Sequence, residues 1–275
     1  MVAVVSDTCS NNWVTSMDAI YQHFRKDEAA LIDHFAELIE TARTEYRAVL
    51  TDFTDPRQRL IAASLINAHD DMKLVHFGGY PHAERQRLIF APDYFAAQPA
   101  DFDIRLLQVV YPEKFAEMHH STIQGTLLNA GLDRDVFGDI VTDGRTWQFF
   151  VAAHMEDWVM SNITKIGRVG VHFTDYPLDA AVTPENDWEP ISFSVSALRL
   201  DAIVAHGFNM SRQRAKMLIQ AGKVRLNFGE NDAPDAEVAT SDIISVRGFG
   251  RLRLDAILGE SKKGKLRVSA AVIHK

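Results

Sequence analysis

Between Ile104 and Thr174 the spacing of apolar residues changes period repeatedly, and this alternation constrains the fold more than any other feature of the chain. Ile104 to Tyr111 (IRLLQVVY) is rich in branched residues, the composition of a strand. His120 to Asn129 is helical in period and stops at Ala130-Gly131. Asp139 to Thr142 and Thr146 to Val151 flank Asp143-Gly144, the strongest short hairpin signal in the sequence. His154 to Ile166 reads as a helix ending at Gly167, and Arg168 to Thr174 as a strand. The predicted order is β-α-β-β-α-β, the split βαβ or ferredoxin-like arrangement.

The flanking text differs in kind. Residues 1–16 are polar and aperiodic, and are expected to be a disordered, dispensable extension. From Met17, Ile20, Phe24, Leu31, Ile32, Phe35, Leu38 and Ile39 recur at helical spacing, and Asp55-Pro56 announces a further helix from Arg57 to Asn67. Residues 17–80 therefore read as a helical N-terminal unit. The turn cluster Gly78-Gly79-Tyr80-Pro81 separates it from a central α/β domain over 81–174, which includes a short strand candidate at Arg87–Ala91. Residues 175–192 contain Pro177, Pro184 and Pro190, five acidic residues and no basic ones, so 175–193 reads as an acidic linker. A third domain is expected over 194–275. The fold class is α+β and multidomain.

Length agrees, since 275 residues allow two or three modest domains. No apolar run approaches the length of a membrane span, and MVAVVSDTCSNNW lacks the basic and apolar regions of a signal peptide. Cys9 is the only cysteine, which excludes internal disulfides, cysteine-based zinc sites and iron–sulfur clusters. A cytoplasmic protein is expected. The net charge of −8 hides an asymmetry: residues 196–275 carry 14 Lys/Arg and 8 Asp/Glu, or +6, and residues 1–195 carry 15 and 29, or −14. Such a split points the C-terminal domain toward a polyanion; the alternative is a chance imbalance between solvated faces.

In that domain Ser196 is a candidate cap for a helix from Ala197 to about His206, with Leu200, Ile203, Val204 and Phe208 on one face and Arg199 on another. Ser211 caps a second helix, Arg212 to Ala221, closed by Gly222. Ala215, Leu218 and Ile219 share its inward face, while Arg212 and Lys216 share an outer face with Arg214 beside them. Lys223 and Arg225 belong to an alternating strand. Arg247, Arg251 and Arg253 alternate so as to project from one strand face, and Lys262, Lys263 and Lys265 form a basic turn. The candidate contacts to a nucleic acid or other polyanion are therefore Arg199, Ser211, Arg212, Arg214, Lys216, Lys223, Arg225, Arg247, Arg251, Arg253, Lys262, Lys263 and Lys265, and the alternative is a solvated face. Asp201 is expected to be structural, pairing with a neighbouring cation or capping a helix. Three catalytic motifs nearly form and fail. Gly259-xxxx-Gly264-Lys265 has phosphate-loop spacing, but Leu266 replaces the Ser/Thr and no helix can follow. Gly248-Phe249-Gly250 is half a dinucleotide fingerprint. Gly250-Arg-Leu-Arg-Leu-Asp255 is similar to a pseudouridine-synthase motif with two extra residues, and too little chain follows it for that catalytic domain.

Arg199-Leu200-Asp201, Ser211-Arg212, Ala215, Leu218-Ile219, Gly222, Val224, Asn227 and Asp242-Ile243-Ile244 resemble the S4 RNA-binding domain, a small αL-type fold of two helices on a twisted sheet. The sequence departs from that pattern at Ser241 and Phe228, where glycine is common. The resemblance extends to the YlmH family through Tyr21-Gln22-His23-Phe24, Gly78-Gly79-Tyr80, Ala83-Glu84-Arg85, the segment from Gly125 through Arg134 to Phe137-Gly138-Asp139-Ile140, and the tail SDIISVRGFGRLRL with GESKKGK. It implies a non-enzymatic RNA-binding protein that associates with the large ribosomal subunit, facing rRNA and tRNA in ribosome-associated quality control, from a family encoded among cell-division genes. From the failed motifs and the lack of a long apolar run, no cofactor, metal, membrane or small-molecule substrate is expected. The alternatives are an S4-targeted RNA-modifying enzyme and a cell-division interaction protein. In the central domain, Trp147 and Phe149 are read as core residues ahead of base-stacking ones. His119-His120, His154-x-Glu156 and His69-Asp70-Asp71 are poor metal or catalytic clusters.

Overall fold

The computed structural model describes residues 24, 28–184, 188–261 and 264–274. The extension 1–16, the start of the first helical stretch through His23, and Lys262 and Lys263 lie outside these residues. The chain divides into two compact units, with the main break after Thr183.

The first unit opens with α1 (Ala29–Thr44), β1 (Val49–Thr54), α2 (Pro56–Ile66), β2 (Met72–Phe77) and β3 (Gln86–Pro92). Pro56 occupies the first helical position, where its missing N–H costs nothing. The two helices expected over 17–80 are present, but two strands accompany them. β1, β3 and β2 form an antiparallel sheet in that order. The strands escape a pattern search because each has six residues, and Thr51, Asp52 and His76 break the apolar alternation. Their burial comes from pairing with β3. β3 is buried along its whole length. It is the middle strand of this N-terminal sheet, not part of the central domain to which residues 81–103 were expected to belong. Its Leu88 and Phe90 pack with Ile32, Phe35 and Ile39 of α1 and Ile61 of α2.

The β-α-β-β-α-β order expected next is realised as β4 (Ile104–Val110), α3 (His120–Asn129), β5 (Phe137–Thr142), β6 (Trp147–Ala152), α4 (Glu156–Asn162) and, after a small hairpin of β7 (Lys165–Ile166) and β8 (Val169–Gly170), β9 (His172–Tyr176). The sheet order β5-β6-β4-β9 is that of a split βαβ fold. The second helix ends earlier than its periodicity suggests. Ile163 leaves it in extended conformation, and the buried Ile166 belongs to the β7–β8 hairpin. One sheet face packs Leu107, Val109, Phe149 and Val151 against Ile123, Leu127 and Val159 of the helices. The other packs Leu106, Phe150 and Ala152 against Phe53 of β1 and Ile89 and Ala91 of β3. The two sheets of this unit thus share a buried layer.

The second unit contains β10 (Glu189–Val195), α5 (Leu200–Gly207), α6 (Arg212–Gln220), β11 (Val224–Leu226), β12 (Gly229–Glu230), β13 (Ile243–Val246), β14 (Gly250–Glu260) and β15 (Leu266–His274). Its antiparallel sheet has the order β10-β15-β14-β13-β11-β12. Residues 189–193, read as the end of the linker, are an edge strand paired with β15 from Glu189↔Val272 onward. Leu200, Ile203, Val204, Ala215 and Ile219 of the helices close over Val224, Ile244, Leu252, Leu254, Val268 and Val272 of one sheet face. A Cβ on Gly207 would stand 2.0 Å from Leu252 Cδ1, so α5 lies hard against β14. Among the described residues no helix is long and apolar enough to cross a membrane.

Candidate nucleic-acid interface

The first helix of the C-terminal unit starts at Leu200, not at Ala197, and the cause lies in its N-terminal amides. Arg199 is extended and bridges to Glu237. The amides of Leu200 and Asp201 donate to the carbonyls of Ala236 (2.9 Å) and Pro234 (2.9 Å). A neighbouring loop therefore satisfies the first two free amides of the helix, in place of a side-chain cap. This places Asp201 in the first turn of α5 with no exposed surface. The second helix is capped as expected: Ser211 Oγ accepts from the Arg214 amide at 3.2 Å, which makes Ser211 a helix cap in the structure.

Three of the candidate cations converge on Asp201. Arg212 Nη2 donates to its Oδ1 at 3.0 Å, Arg199 donates through Nε and Nη2 at 3.3 Å each, and Lys216 Nζ stands 3.8 Å from Oδ2. The carboxylate is buried while the three cationic side chains are 37, 50 and 47% exposed for Arg199, Arg212 and Lys216. Burial works against ionisation of Asp201. The hydrogen bonds and charges of Arg212 and Arg199 outweigh it and hold the carboxyl below the usual aspartate range. One buried anion thus gathers three half-exposed cations, leaving a net positive surface with fixed geometry. Arg214, on the same helix, lies over Phe249 with its guanidinium carbon 5.1 Å from the ring centroid.

The remaining candidates do not all join this group. Arg247 sits in the turn between β13 and β14, outside the strand in which it was expected to alternate with Arg251 and Arg253. Its amide donates to the Lys223 carbonyl at 2.9 Å, so those two residues meet beyond the end of α6. Arg251 and Arg253 alternate with Leu252 and Leu254, which face the helices, and Arg225 pairs in register with Ser245, which pairs with Arg251. Arg225, Arg251 and Arg253 therefore occupy the sheet face turned away from α5 and α6. Lys265 precedes β15 at the base of its hairpin with β14. Arg199, Arg212 and Lys216 thus lie on the helix side and Arg225, Arg251 and Arg253 on the opposite sheet face, a distinction that the spacing of cations did not reveal. Pattern reading also missed the aromatic partners Phe249, Trp188 and Phe228, whose contacts depend on cross-strand register.

Both departures from the S4 pattern carry positive φ: Phe228 at 68° and Ser241 at 70°, with Asn227 at 47°. Glycine adopts such angles without strain, whereas other residues there cost on the order of 1–3 kcal/mol. Asn227 offsets part of this cost. Its Nδ2 donates to buried Asp242 at 2.7 Å and its Oδ1 accepts from the Ile243 amide at 2.9 Å.

The motifs of the first unit meet at a different place. Asp139 is half-buried and accepts from the Tyr80 hydroxyl (2.9 Å) and the amides of Glu84 (2.7 Å) and Arg85 (3.1 Å). Burial and the nearby Glu84 charge push its carboxyl above the usual range, against the pull of these hydrogen bonds. Burial and the same carboxylate raise Tyr80. Gly79 and Gly138 admit no side chain, since a Cβ would stand 2.3 Å from Phe150 and 2.8 Å from Phe53 respectively. These residues join the two sheets. The sheet face that RNA-recognition motifs use for stacking is covered here by β1 and β3 and by Leu178, Ala181 and Val182. Gln148 holds that segment, accepting from the Val182 amide at 2.8 Å and donating to the Ala180 carbonyl at 3.3 Å. Phe149 is fully buried and Trp147 half-buried on the helix side, as core residues.

Two helices on a twisted antiparallel sheet, with cations gathered along the second helix, define an RNA-binding protein of the S4 class. Residues 198–244 match the S4 domain, residues 27–95 match the family described as "YlmH, N-terminal", and residues 97–180 match "Putative RNA-binding domain in YlmH". The chain is 39% identical over 253 residues to the "Ribosome-associated protein quality control protein P2" of Bacillus subtilis, covering 92% of this chain and 98% of the relative. It also resembles the solved structure of "Cell division protein ylmH from Streptococcus pneumoniae", with a TM-score of 0.52, 29% identity, and coverage of 59% of this chain and 99% of that one. The chain belongs to the YlmH family.

Proposed function

We propose that this protein binds structured rRNA and tRNA on the large ribosomal subunit, acts without turnover, and takes part in handling obstructed peptidyl-tRNA complexes in the cytoplasm. The observation that carries the reading is the set of Arg199, Arg212 and Lys216 anchored on buried Asp201. Phosphates meet such pre-arranged donors at little ordering cost, and phosphate contacts position an RNA without reading its sequence. Charge supports the assignment: the +6 of residues 196–275 contrasts with residues 97–180, which hold 12 acidic and 6 basic residues. With its stacking face covered, the central domain is a poor generic RNA binder and a better source of selectivity for a particular ribosomal state. The name of the Bacillus relative supports the ribosomal setting. The name of the Streptococcus protein favours a second reading, a partner in cell division. In-cell crosslinking with sequencing of the bound RNA tests the first. Enrichment of large-subunit rRNA and tRNA is expected, and recovery of neither refutes it.

A further inference from the structure

The two ends of the central sheet differ in charge. At one of them β4 finishes at Val110, which pairs with His172 at the start of β9, while Val109 and Thr142 both pair with Trp147 at the start of β6. The loop from Tyr111 to His119 and the turn from Asp143 to Thr146 therefore lie at this end. The β7–β8 hairpin joins them: it leads directly into β9, and a Cβ on Gly167 would stand 3.1 Å from Thr122 in the first turn of α3. Residues 97–180 hold 6 basic and 12 acidic residues. Of these, Lys114, Arg145, Lys165 and Arg168 lie at this end, accompanied by Glu113, Glu117 and Asp143. The other acidic residues lie within strands or toward the opposite end, where Arg105 and Arg134 are the cations.

The same end presents an open aromatic ring. Phe115 is 90% exposed, more than any other large apolar side chain among the described residues. Its loop is held in place on both sides. The Trp147 indole hydrogen-bonds the Tyr111 side chain, the Phe115 amide donates to the Pro112 carbonyl at 2.9 Å, and Met118 is buried in the domain core. Among the described residues the ring meets no other ring or cation, and the four cations, all exposed, make no side-chain hydrogen bond or ion pair. Asp143 Oδ1 accepts from the amides of Arg145 at 3.0 Å and Thr146 at 2.7 Å, which fixes the turn and leaves the Arg145 side chain in solvent. A single exposed apolar residue is ordinary on a protein surface. This one projects from an end that also collects most of the domain's cations. A chain bound to RNA must turn that end toward the phosphates, because the opposite end is repelled by them. Unpaired bases of a structured RNA stack on aromatic rings, and cations meet the phosphates beside them.

We propose that this end of the central domain is a second RNA contact, in which Phe115 stacks on an unpaired base and Arg145 and Arg168 meet the adjoining phosphates. The proposal rests on the RNA-binding reading above. It moves the contact of this domain from the covered sheet face to the loops at the end of the sheet, and it supplies selectivity by tethering, since the S4 domain of the same chain binds independently.

The test uses the full chain and purified large ribosomal subunits carrying peptidyl-tRNA. Sedimentation across rising salt compares the wild type with Phe115→Ala, with Arg145→Glu plus Arg168→Glu, and with Arg212→Glu plus Lys216→Glu. Phe115→Ala is expected to weaken binding about tenfold at an unchanged salt slope. Arg145→Glu with Arg168→Glu is expected to weaken it and to flatten the slope by about 2. All three side chains are exposed, so the melting temperature should hold in both variants. A benzophenone analogue of phenylalanine in place of Phe115 should crosslink to rRNA or tRNA on illumination. Crosslinking to a ribosomal protein instead makes this end a protein contact and overturns the proposal. Wild-type binding by Phe115→Ala and by Arg145→Glu with Arg168→Glu also overturns it. If Arg212→Glu with Lys216→Glu then still weakens binding, the RNA-binding reading stands. Absence of binding by the wild type overturns both.

Discussion

Asp201→Asn separates organisation from charge. The substitution keeps shape and removes the one anion on which three cations converge, so a count of charges predicts tighter RNA binding. The structure predicts weaker binding. Arg212 gives up a 3.0 Å charged hydrogen bond, Arg199 two at 3.3 Å, and Lys216 a 3.8 Å ion pair. Charged hydrogen bonds contribute about 1.5–3 kcal/mol each, but these cations are roughly half exposed and resolvate, so a total stability loss of about 1–2 kcal/mol is reasonable. For a unit the size of 184–275 that lowers its melting temperature by about 5–15 °C. Releasing three side chains restores an ordering cost of about 0.5–1.5 kcal/mol each on binding. Relief of one opposing charge returns about 1 kcal/mol at this spacing in water. The net expectation is roughly a threefold or greater loss of affinity for structured RNA. The slope of log affinity against log salt should flatten by about 1 for each phosphate no longer engaged. Filter binding across a salt series, with calorimetric melting of the same samples, measures both. Tighter binding with an unchanged slope would refute this reasoning and make Asp201 a mere drag on affinity.

Further expectations concern the first unit and the acid response. Gly79→Ala should destabilise that unit by about 2 kcal/mol or more, because φ is 97° and the new methyl meets Phe150; an unchanged denaturant midpoint would contradict the packing described. Asp139 has a raised carboxyl pKa in the folded state. Its contribution is therefore complete below the ordinary aspartate value of about 3.9 and is lost as pH rises from there through the raised one. Asp139→Asn should remove that downward step from a plot of stability against pH, and an identical plot would count against it. Asp201 has the opposite sign, its contribution being present above the ordinary value and lost as pH falls below it. The second unit should therefore lose more stability to acid than its Asp201→Asn variant, as monitored by melting from neutral to acid pH.

Much of this architecture is legible in the sequence because local signals agree with tertiary demands. Asp143-Gly144 lies between two strands, Ser211 caps its helix, and IRLLQVVY is the strand between β6 and β9. Legibility fails where a partner distant in sequence decides. VLTDFT and MKLVHF are strands because β3 pairs with both. Residues 189–193 look like linker, yet pair with the end of the chain. Ser196 looks like a cap, but the carbonyls of Pro234 and Ala236 fix the helix start. The site shows the same division. Arg212 and Lys216 share a face by helical period alone, and their anchoring by Asp201 was expected in kind. The separation of Arg225, Arg251 and Arg253 from that face depends on strand register. Family motifs such as Gly78-Gly79-Tyr80 and Asp139 mark a structural junction between sheets, which sequence alone does not distinguish from a ligand site.

Whether the helix face carrying Arg212 and Lys216 holds this protein on ribosomal RNA decides between the functional reading and a merely solvated surface. Co-sedimentation of the full chain with purified large ribosomal subunits, wild type against Arg212→Glu with Lys216→Glu, across rising salt, answers the question. Both side chains lie off the buried Ala215 and Ile219 face, so the fold should survive the exchange. Loss of the two contacts to Asp201 lowers the melting temperature of the variant, so both proteins are compared well below it; we expect salt-sensitive binding of the wild type and, for the folded variant, a large drop in binding with a salt slope flatter by about 2. Equal sedimentation and equal slope for the two proteins would contradict the assignment of this face to RNA.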